Sequence, residues 1–477
     1  MPQTAIACRS PTSHKRKAGL PRKFYRPRDH AVSPFFKIVL DRFEEFERIY
    51  PERFQQRYGY WRPVIRSSID KFLKCGDVKE GFARVKCKDC GEEFFVAFSC
   101  RQRSCCPSCD QKRALLLGHR LRGEVLADVP HLQWVFTIPK RLRVYFRYDR
   151  KLLGKLCRAA YDTVCDVYAL EIDGDCGVPA MVGAVQTFGD LIHWHSHIHA
   201  IVAEGVFTET GHFVHIPDIW RHRAADIWQE RVFDLLLDEF KIDLETAANM
   251  RGWKHSGFNV DHSVRIEAGN HEGMQRLVEY ISRCPFSLAR MVTLMDNGKI
   301  MYRASKGKCF PFPTTGEPVS PEREIAPIQT LMEGIPRNFE VFDPLDFLAE
   351  VTQHIPNKGE HQIRYYGWYS NKKRGMQEKK VALPGQSEPD STFRRKCRMT
   401  WAALIKCVYE VDPLKCPKCG GEMRIISFIE EDEVIRKILK HCGLWKEQAP
   451  RPPPEEKPPP EVEETKLDYE FFEKTCA

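Results

Sequence analysis

Three Cys-x-x-Cys pairs constrain this chain more than any other feature: Cys87-Lys-Asp-Cys90, Cys106-Pro-Ser-Cys109 and Cys416-Pro-Lys-Cys419. A two-residue spacer lets both thiolates face one tetrahedral ion, and Gly91 permits the tight turn after the first pair. The chain has 19 cysteines among 477 residues. It contains no apolar run near the roughly 18 residues a membrane span requires. Its first ten residues lack the apolar core of a signal peptide. We therefore expect a cytoplasmic chain whose reduced thiols hold zinc rather than form disulfides.

The first two pairs lie 16 residues apart, with the β-formers Phe94, Phe95 and Val96 between them. That spacing predicts one Cys₄ zinc ribbon through Cys87, Cys90, Cys106 and Cys109. Cys75, Cys100 and Cys105 are then surplus. Either one of them replaces a knuckle cysteine, or Cys75 and Cys100 serve a second site. Lys86, Lys88, Arg101, Arg103, Lys112 and Arg113 surround the module, which suits a nucleic-acid backbone. Cys416 and Cys419 supply only two ligands for a further zinc. Cys407, His441 or Cys442 would complete that site, or the knuckle is metal-free.

A second constraint is the run His193–Gly205. His193, His195, His197 and His199 occupy alternate positions among Ile198, Ile201 and Val202. A period of two places the imidazoles on one face of a strand. Neighbours i and i+2 lie roughly 6.5–7 Å apart, so one adjacent pair can converge on an ion while three in line cannot. Four of the chain's 17 histidines in seven residues point to a metal or catalytic role. The alternative is a half-buried strand with solvated histidines.

The remaining pattern is mixed α and β. Residues 1–33 form a basic, proline-broken arm suited to phosphates. Residues 34–112 hold a helical segment and the cysteine module. Strands are predicted at 132–138, 180–188, 213–216 and 258–266, with helices at 152–170 and 219–240. We expect an α+β fold with a central antiparallel sheet across residues 113–310. A helical run from His271 to Cys284 carries Tyr280, with Arg276, Arg283 and Cys284 on its face. Two cations beside that hydroxyl would hold a phosphate. Residues 311–398 form an extension and linker. Within it Tyr365, Tyr366, Trp368 and Tyr369 precede Lys372, Lys373 and Arg374, a combination that can stack on unpaired bases and track phosphates. A zinc-knuckle unit at 399–445 and a Pro/Glu tail at 446–477 complete the chain.

His197-Ile198-His199 resembles the His-hydrophobic-His signature of HUH endonucleases. The longer string His195-Ser-His-Ile-His-Ala-Ile-Val202 is similar to that of rolling-circle transposases of the insertion-sequence-91 family. Cys100–Arg113 resembles their N-terminal zinc-binding domain. Tyr60–Val64, Cys75-Gly-Asp77 and Gly81–Val85 resemble the common-region branch of that family, where Cys105 replaces an aromatic and so stays outside the ligand set. Tyr280–Met291 resembles the nucleophile helix, with Cys284 standing where two-tyrosine members carry their second tyrosine. Arg364-Tyr-Tyr-Gly367 and residues 399–445 extend the likeness to roughly residues 40–445.

The resemblance implies an HUH-type, single-tyrosine transposase that cleaves single-stranded DNA at the ends of a mobile element. Tyr280 would form a 5′-phosphotyrosyl intermediate. His197 and His199 would hold Mg²⁺ or Mn²⁺, which suits imidazole plus phosphate oxygens. Gln186 is our candidate third metal ligand, and Arg276 and Arg283 would hold the phosphate. The implied partner is DNA, with no membrane and with oligomerisation left open. The protein would be nucleoid-associated when bound to DNA. The rival is a non-catalytic zinc-ribbon nucleic-acid-binding protein, a degenerate transposase. Such a protein needs the knuckles and basic residues but not His197, His199 and Tyr280 together.

Overall fold

The computed structural model describes residues 33–170, 177–189, 191–216, 223–287, 291–294, 298–303, 339–381, 415–416 and 418–445. Residues 1–32 of the basic arm, residues 382–398 of the linker, the expected helix at 400–408 and the Pro/Glu tail from 446 lie outside these residues. Among the described residues no helix is long and apolar enough to cross a membrane.

The chain opens with helix α1 (Pro34–Arg53), whose start is set by Pro34 and by Ser33 accepting a hydrogen bond from the Phe36 amide. After α2 (Gln55–Tyr58) and α3 (Pro63–Leu73) comes a hairpin of β1 (Phe82–Cys87) and β2 (Glu93–Ala97). Helix α4 (Pro107–Arg120) leads to β3 (His131–Thr137), α5 (Arg143–Tyr148) and α6 (Lys151–Ala169). The long strands β4 (Val178–Phe188) and β5 (Trp194–Phe207) follow, then β6 (Phe213–His215), α7 (Ala224–Asp238), α8 (Leu244–Arg251), β7 (Asn259–Ile266) and α9 (His271–Ile281). The later elements are β8 (Met291–Leu294), β9 (Ile300–Arg303), β10 (Phe339–Phe342), α10 (Pro344–Gln353), β11 (Ile363–Gly367), α11 (Asn371–Val381), β12 (Met423–Ile429) and α12 (Asp432–His441).

The expected antiparallel sheet is present, in the order β11-β4-β5-β3-β7, with β6 paired to the far end of β5. Strand β5 is buried on both faces, and its two residue parities serve different layers. Ile198, Ala200 and Val202 join Trp134, Phe136 and residues of α6 and α7 in one core cluster. Ile201 and Ala203 join Val182, Ala184 and the α9 residues Met274, Leu277, Val278 and Ile281 in another. His197 and His199 share the second parity, so the period of two aims them at α9.

Two expectations change here. The aromatic cluster at 365–369 is largely internal: Tyr366 stacks on Tyr161, Trp368 stacks on Phe207, and Tyr369 is buried against His131. These partly buried rings close the sheet edge through β11, and Tyr365 keeps Arg120 and Arg374 over its ring. Gly367 ends β11 with φ +57°, and a Cβ there would sit 1.8 Å from the Pro179 carbonyl oxygen, so glycine is obligatory. The C-terminal segment is also not a separate unit. Strand β12 pairs with β1 in the three-stranded sheet β12-β1-β2.

His193 precedes β5 and leaves the imidazole row. Its Nε2 lies 2.6 Å from Glu340 of β10 and its Nδ1 3.2 Å from Glu350 of α10. Burial alone would lower this imidazole, but the hydrogen bonds and charges of Glu340 and Glu350 outweigh it and raise the group to about 9. A raised folded value makes the pair fully stabilising below the unfolded value near 6.5 and removes that contribution as pH rises through about 9. The urea midpoint should therefore fall over that window in the wild type and fall less in His193→Gln. An unchanged pH slope in the variant would refute this linkage.

Candidate active site and metal centres

Strand β5 presents His197 and His199 with their Nε2 atoms 3.1 Å apart and their rings perpendicular-edged at 4.8 Å. Both side chains are buried. Desolvation holds His197 down to about 4 and His199 down to about 2, so both imidazoles are neutral at physiological pH. His197 Nδ1 donates to the His195 carbonyl oxygen at 2.8 Å, which leaves its Nε2 as a lone pair. His199 Nδ1 meets the Gln133 carboxamide of β3 at 3.1 Å. These bonds form one directed chain: Gln133 N–H to His199 Nδ1, His199 Nε2–H to His197 Nε2, and His197 Nδ1–H to the backbone. A half-turn of the Gln133 carboxamide would present oxygen to Nδ1 and free both Nε2 lone pairs.

Gln133 was not among the sequence candidates. Its signal is a lone polar residue inside the apolar run Leu132-Gln-Trp-Val-Phe136, which a buried strand tolerates only with a partner. His195 is the third imidazole of the row, 4.8 Å ring to ring from His197. Burial lowers it to about 3, and its Nε2 has no hydrogen-bond partner among the described residues.

Tyr280 lies across from these histidines. Its ring stands edge-on to His199 at 5.4 Å and is 42% exposed. Arg283 lies over the Tyr280 ring at 4.7 Å and over Phe188 at 5.4 Å. Arg276 is exposed and pairs with Glu272 at 2.6 Å, away from the histidine pair. Gln186 of β4 stands opposite His197 in register. Its amide nitrogen donates to the Ile281 carbonyl at 2.8 Å and to the Tyr280 carbonyl at 3.4 Å, while its buried Oε1 has no partner among the described residues. Cys284 is a partly buried thiol hydrogen-bonded to Asp110, pushed well up by desolvation and that carboxylate's charge.

The cysteines assemble differently from the expected set. Cys87 and Cys90 do not meet Cys106 and Cys109. One cluster is Cys75, Cys100, Cys106 and Cys109, and the other is Cys87, Cys90, Cys416 and Cys419. In the first, sulfur–sulfur distances are 3.8, 3.8 and 3.5 Å. Four thiolates bound about 2.3 Å from one zinc ion are separated by about 3.8 Å. The reason for the regrouping is local. The knuckle at 106–109 starts α4 and packs under the end of α3, where Cys75 lies. The knuckle at 87–90 caps the β1–β2 hairpin and points toward β12. His441 and Cys442 belong to neither cluster, and Cys407 lies outside the described residues. Cys105 is buried near the Ser68 carbonyl and joins neither cluster.

A family model described as "Transposase zinc-binding domain" matches residues 45–138, and one described as "Putative transposase" matches residues 180–376. The chain is 24% identical over 395 residues to the "Transposase for insertion sequence element IS801" of Pseudomonas savastanoi pv. phaseolicola, covering 76% of this chain and 84% of that protein. It is also 24% identical over 367 residues to "Putative transposase y4qJ" of Sinorhizobium fredii (strain NBRC 101917 / NGR234), covering 72% and 84%. No solved structure matches.

The matches support a transposase of the insertion-sequence-91 family, with an N-terminal zinc-binding domain. The zinc-binding match in this transposase contains the whole first cluster, Cys75 to Cys109, which supports structural zinc there. The second match contains most of β4 and all of β5 and α9, and so all of Gln186, His197, His199 and Tyr280. Replacing Cys75 should therefore cost zinc and stability although it lies outside both Cys-x-x-Cys pairs of its region. Metal analysis of purified Cys75→Ser should show one zinc fewer than wild type, whereas Cys105→Ser should retain the full content. Equal zinc content in Cys75→Ser and wild type would remove Cys75 from the ligand set.

Proposed function

We propose that this transposase cleaves and rejoins single-stranded DNA at the ends of its mobile element by rolling-circle chemistry, with Tyr280 as nucleophile. The observation that carries the proposal is the edge-on placement of Tyr280 against His199, whose Nε2 faces that of His197 at 3.1 Å. Two nitrogens each about 2.1 Å from one ion and at right angles to it lie about 3 Å apart, so this pair fits a shared divalent ion. The unpartnered Gln186 oxygen, opposite His197, adds a hard donor suited to Mg²⁺ or Mn²⁺. When bound, the ion would polarise the scissile phosphate.

The chain's own residues do the rest. The phenolic oxygen of Tyr280 attacks phosphorus, the bond to the 3′-oxygen breaks, and a 5′-phosphotyrosyl ester forms. The phenolic proton passes to solvent and the departing 3′-oxygen takes one up. The freed 3′-hydroxyl, or one from the target strand, reverses the step. Arg283 lies beside the reacting ring and is placed to hold the phosphate. Arg276, tied to Glu272, contributes more weakly to phosphate binding. Cys284, where a second tyrosine stands in other members, is a partly buried thiol bound to Asp110, which supports a single-tyrosine pathway.

Tyr280→Phe should abolish the denaturant-resistant adduct on a labelled single-stranded oligonucleotide with Mn²⁺ while leaving binding intact. His197→Ala and His199→Ala should do the same. Gln133→Leu should raise the Mn²⁺ concentration for half-maximal cleavage roughly 10–100-fold, because it loses the bond that orients His199. Peptide mapping of the nucleotide to a residue other than Tyr280 would overturn the mechanism. Absence of any adduct in wild type would favour a non-catalytic binding protein.

A further inference from the structure

We infer that Cys87, Cys90, Cys416 and Cys419 form a second zinc site, a ribbon whose two halves lie at opposite ends of the chain. Cys87 Sγ and Cys419 Sγ are 3.5 Å apart, and so are Cys90 Sγ and Cys416 Sγ, the latter pair separated by 326 residues of sequence. All four sulfurs lie within 4.8 Å of one another. That spacing fits one ion, at which tetrahedral thiolates sit about 3.8 Å apart, and is too tight for a multi-iron cluster. Four thiolates with no imidazole or carboxylate select a soft tetrahedral ion, and zinc is the common one.

The surrounding backbone is built as two matching knuckles. Cys87 sulfur receives backbone hydrogen bonds from Asp89 and Cys90. Cys416 sulfur receives one from the Lys418 amide and Cys419 sulfur one from the Gly421 amide, each at 3.4 Å. A positive-φ glycine follows each knuckle, Gly91 at +73° and Gly420 at +75°. The halves meet through the β1–β12 register, Cys87 opposite Met423, and through the Lys88 amide on the Glu422 carbonyl. Lys88 pairs with Glu422, and Lys418 with Glu92, so each half carries a cation for the other's carboxylate. A Cβ at Gly421 would fall 1.9 Å from the Asp89 carboxylate, which shows how closely the knuckles abut.

The ion fastens the C-terminal hairpin to the N-terminal one. Their shared core is small: Ala83, Val85, Cys87, Val96, Cys416 and Met423 are its buried members. The two sites also differ in access. Cys90 and Cys419 are exposed, whereas the first cluster has no exposed cysteine. The split site should therefore release its zinc to a chelator first.

The test is metal analysis of the full-length chain purified without added zinc. Two zinc ions per chain are expected from the two clusters. Cys416→Ser/Cys419→Ser should hold one, and so should Cys87→Ser/Cys90→Ser. The four-fold variant should still hold one, because both pairs remove the same ion. The zinc kept in the first cluster reports folding in the same sample, and Cys419→His, which restores a fourth ligand, should return the count to two. One zinc in wild type, two in either double variant, or a further loss in the four-fold variant would each overturn the split site. None of these outcomes depends on strand cleavage.

Discussion

Gln186 donates its amide hydrogens to the last carbonyls of α9, and the geometry of the histidine–tyrosine pair depends on that contact. A helix C-terminus leaves carbonyls without intrahelical partners, and one buried against a sheet must find donors there. Gln186 supplies them from β4, directly across from His197. The helix that carries Tyr280 is thus fixed through its backbone, while the Tyr280 ring stays partly exposed beside His199. The same sheet burial keeps the histidines neutral, since a charge there would be desolvated without a carboxylate beside it.

What was readable in the sequence is what local periodicity controls. Alternating histidines gave β5 and its inward parity, and the strands at 131–137, 178–188 and 259–266 fell near their expected places. The helices at 151–169 and 271–281 followed from a 3.6-residue period. What was not readable depends on contacts across long sequence separations. Thiolate spacing says that a pair can bind zinc but not which second pair it meets. Cys90 therefore looked committed to the nearby Cys106, whereas β12 brings Cys416 to it instead. Likewise a Tyr-Tyr-Gly-Trp-Tyr run does not reveal whether its rings face bases or a core. β11 pairs with β4, some 180 positions earlier, and that pairing brings Tyr366 onto Tyr161 and Trp368 onto Phe207.

The N-terminal helices are joined to the sheet by buried guanidinium groups. Arg62 donates to the carbonyls of Thr352 and Ile355 at 2.8 and 2.7 Å, at the end of α10. Arg150 makes a two-pronged pair with Glu360 at 2.9 and 2.7 Å and also reaches the Gln353 carbonyl. Both satisfy helix-end acceptors that water cannot reach. Breaking such a buried pair by removing one partner costs about 3–5 kcal/mol, far more than an exposed pair. Helix α10 thereby acts as a wedge, held by α1 and α3 on one side and by His354 against Thr187 of β4 on the other.

This wedge is one route by which the zinc-binding region reaches the sheet, and another leads to the tyrosine. Cys109 lies in the first turn of α4, so the first cluster fixes where that helix begins. Near its other end α4 packs against α9. A Cβ at Gly118 would come within 2.5 Å of the Gln275 carboxamide, so the two helices approach where a glycine leaves room. Beside Cys109, Asp110 accepts hydrogen bonds from the Ser104 amide and the Cys284 thiol, and Cys284 follows α9. The tyrosine helix is therefore held at its middle by α4, at its C-terminal carbonyls by Gln186, and just beyond by Asp110. Two of those three supports belong to the helix that the first cluster anchors. The position of Tyr280 is set as much by where four cysteines gather as by the sheet that carries the histidines.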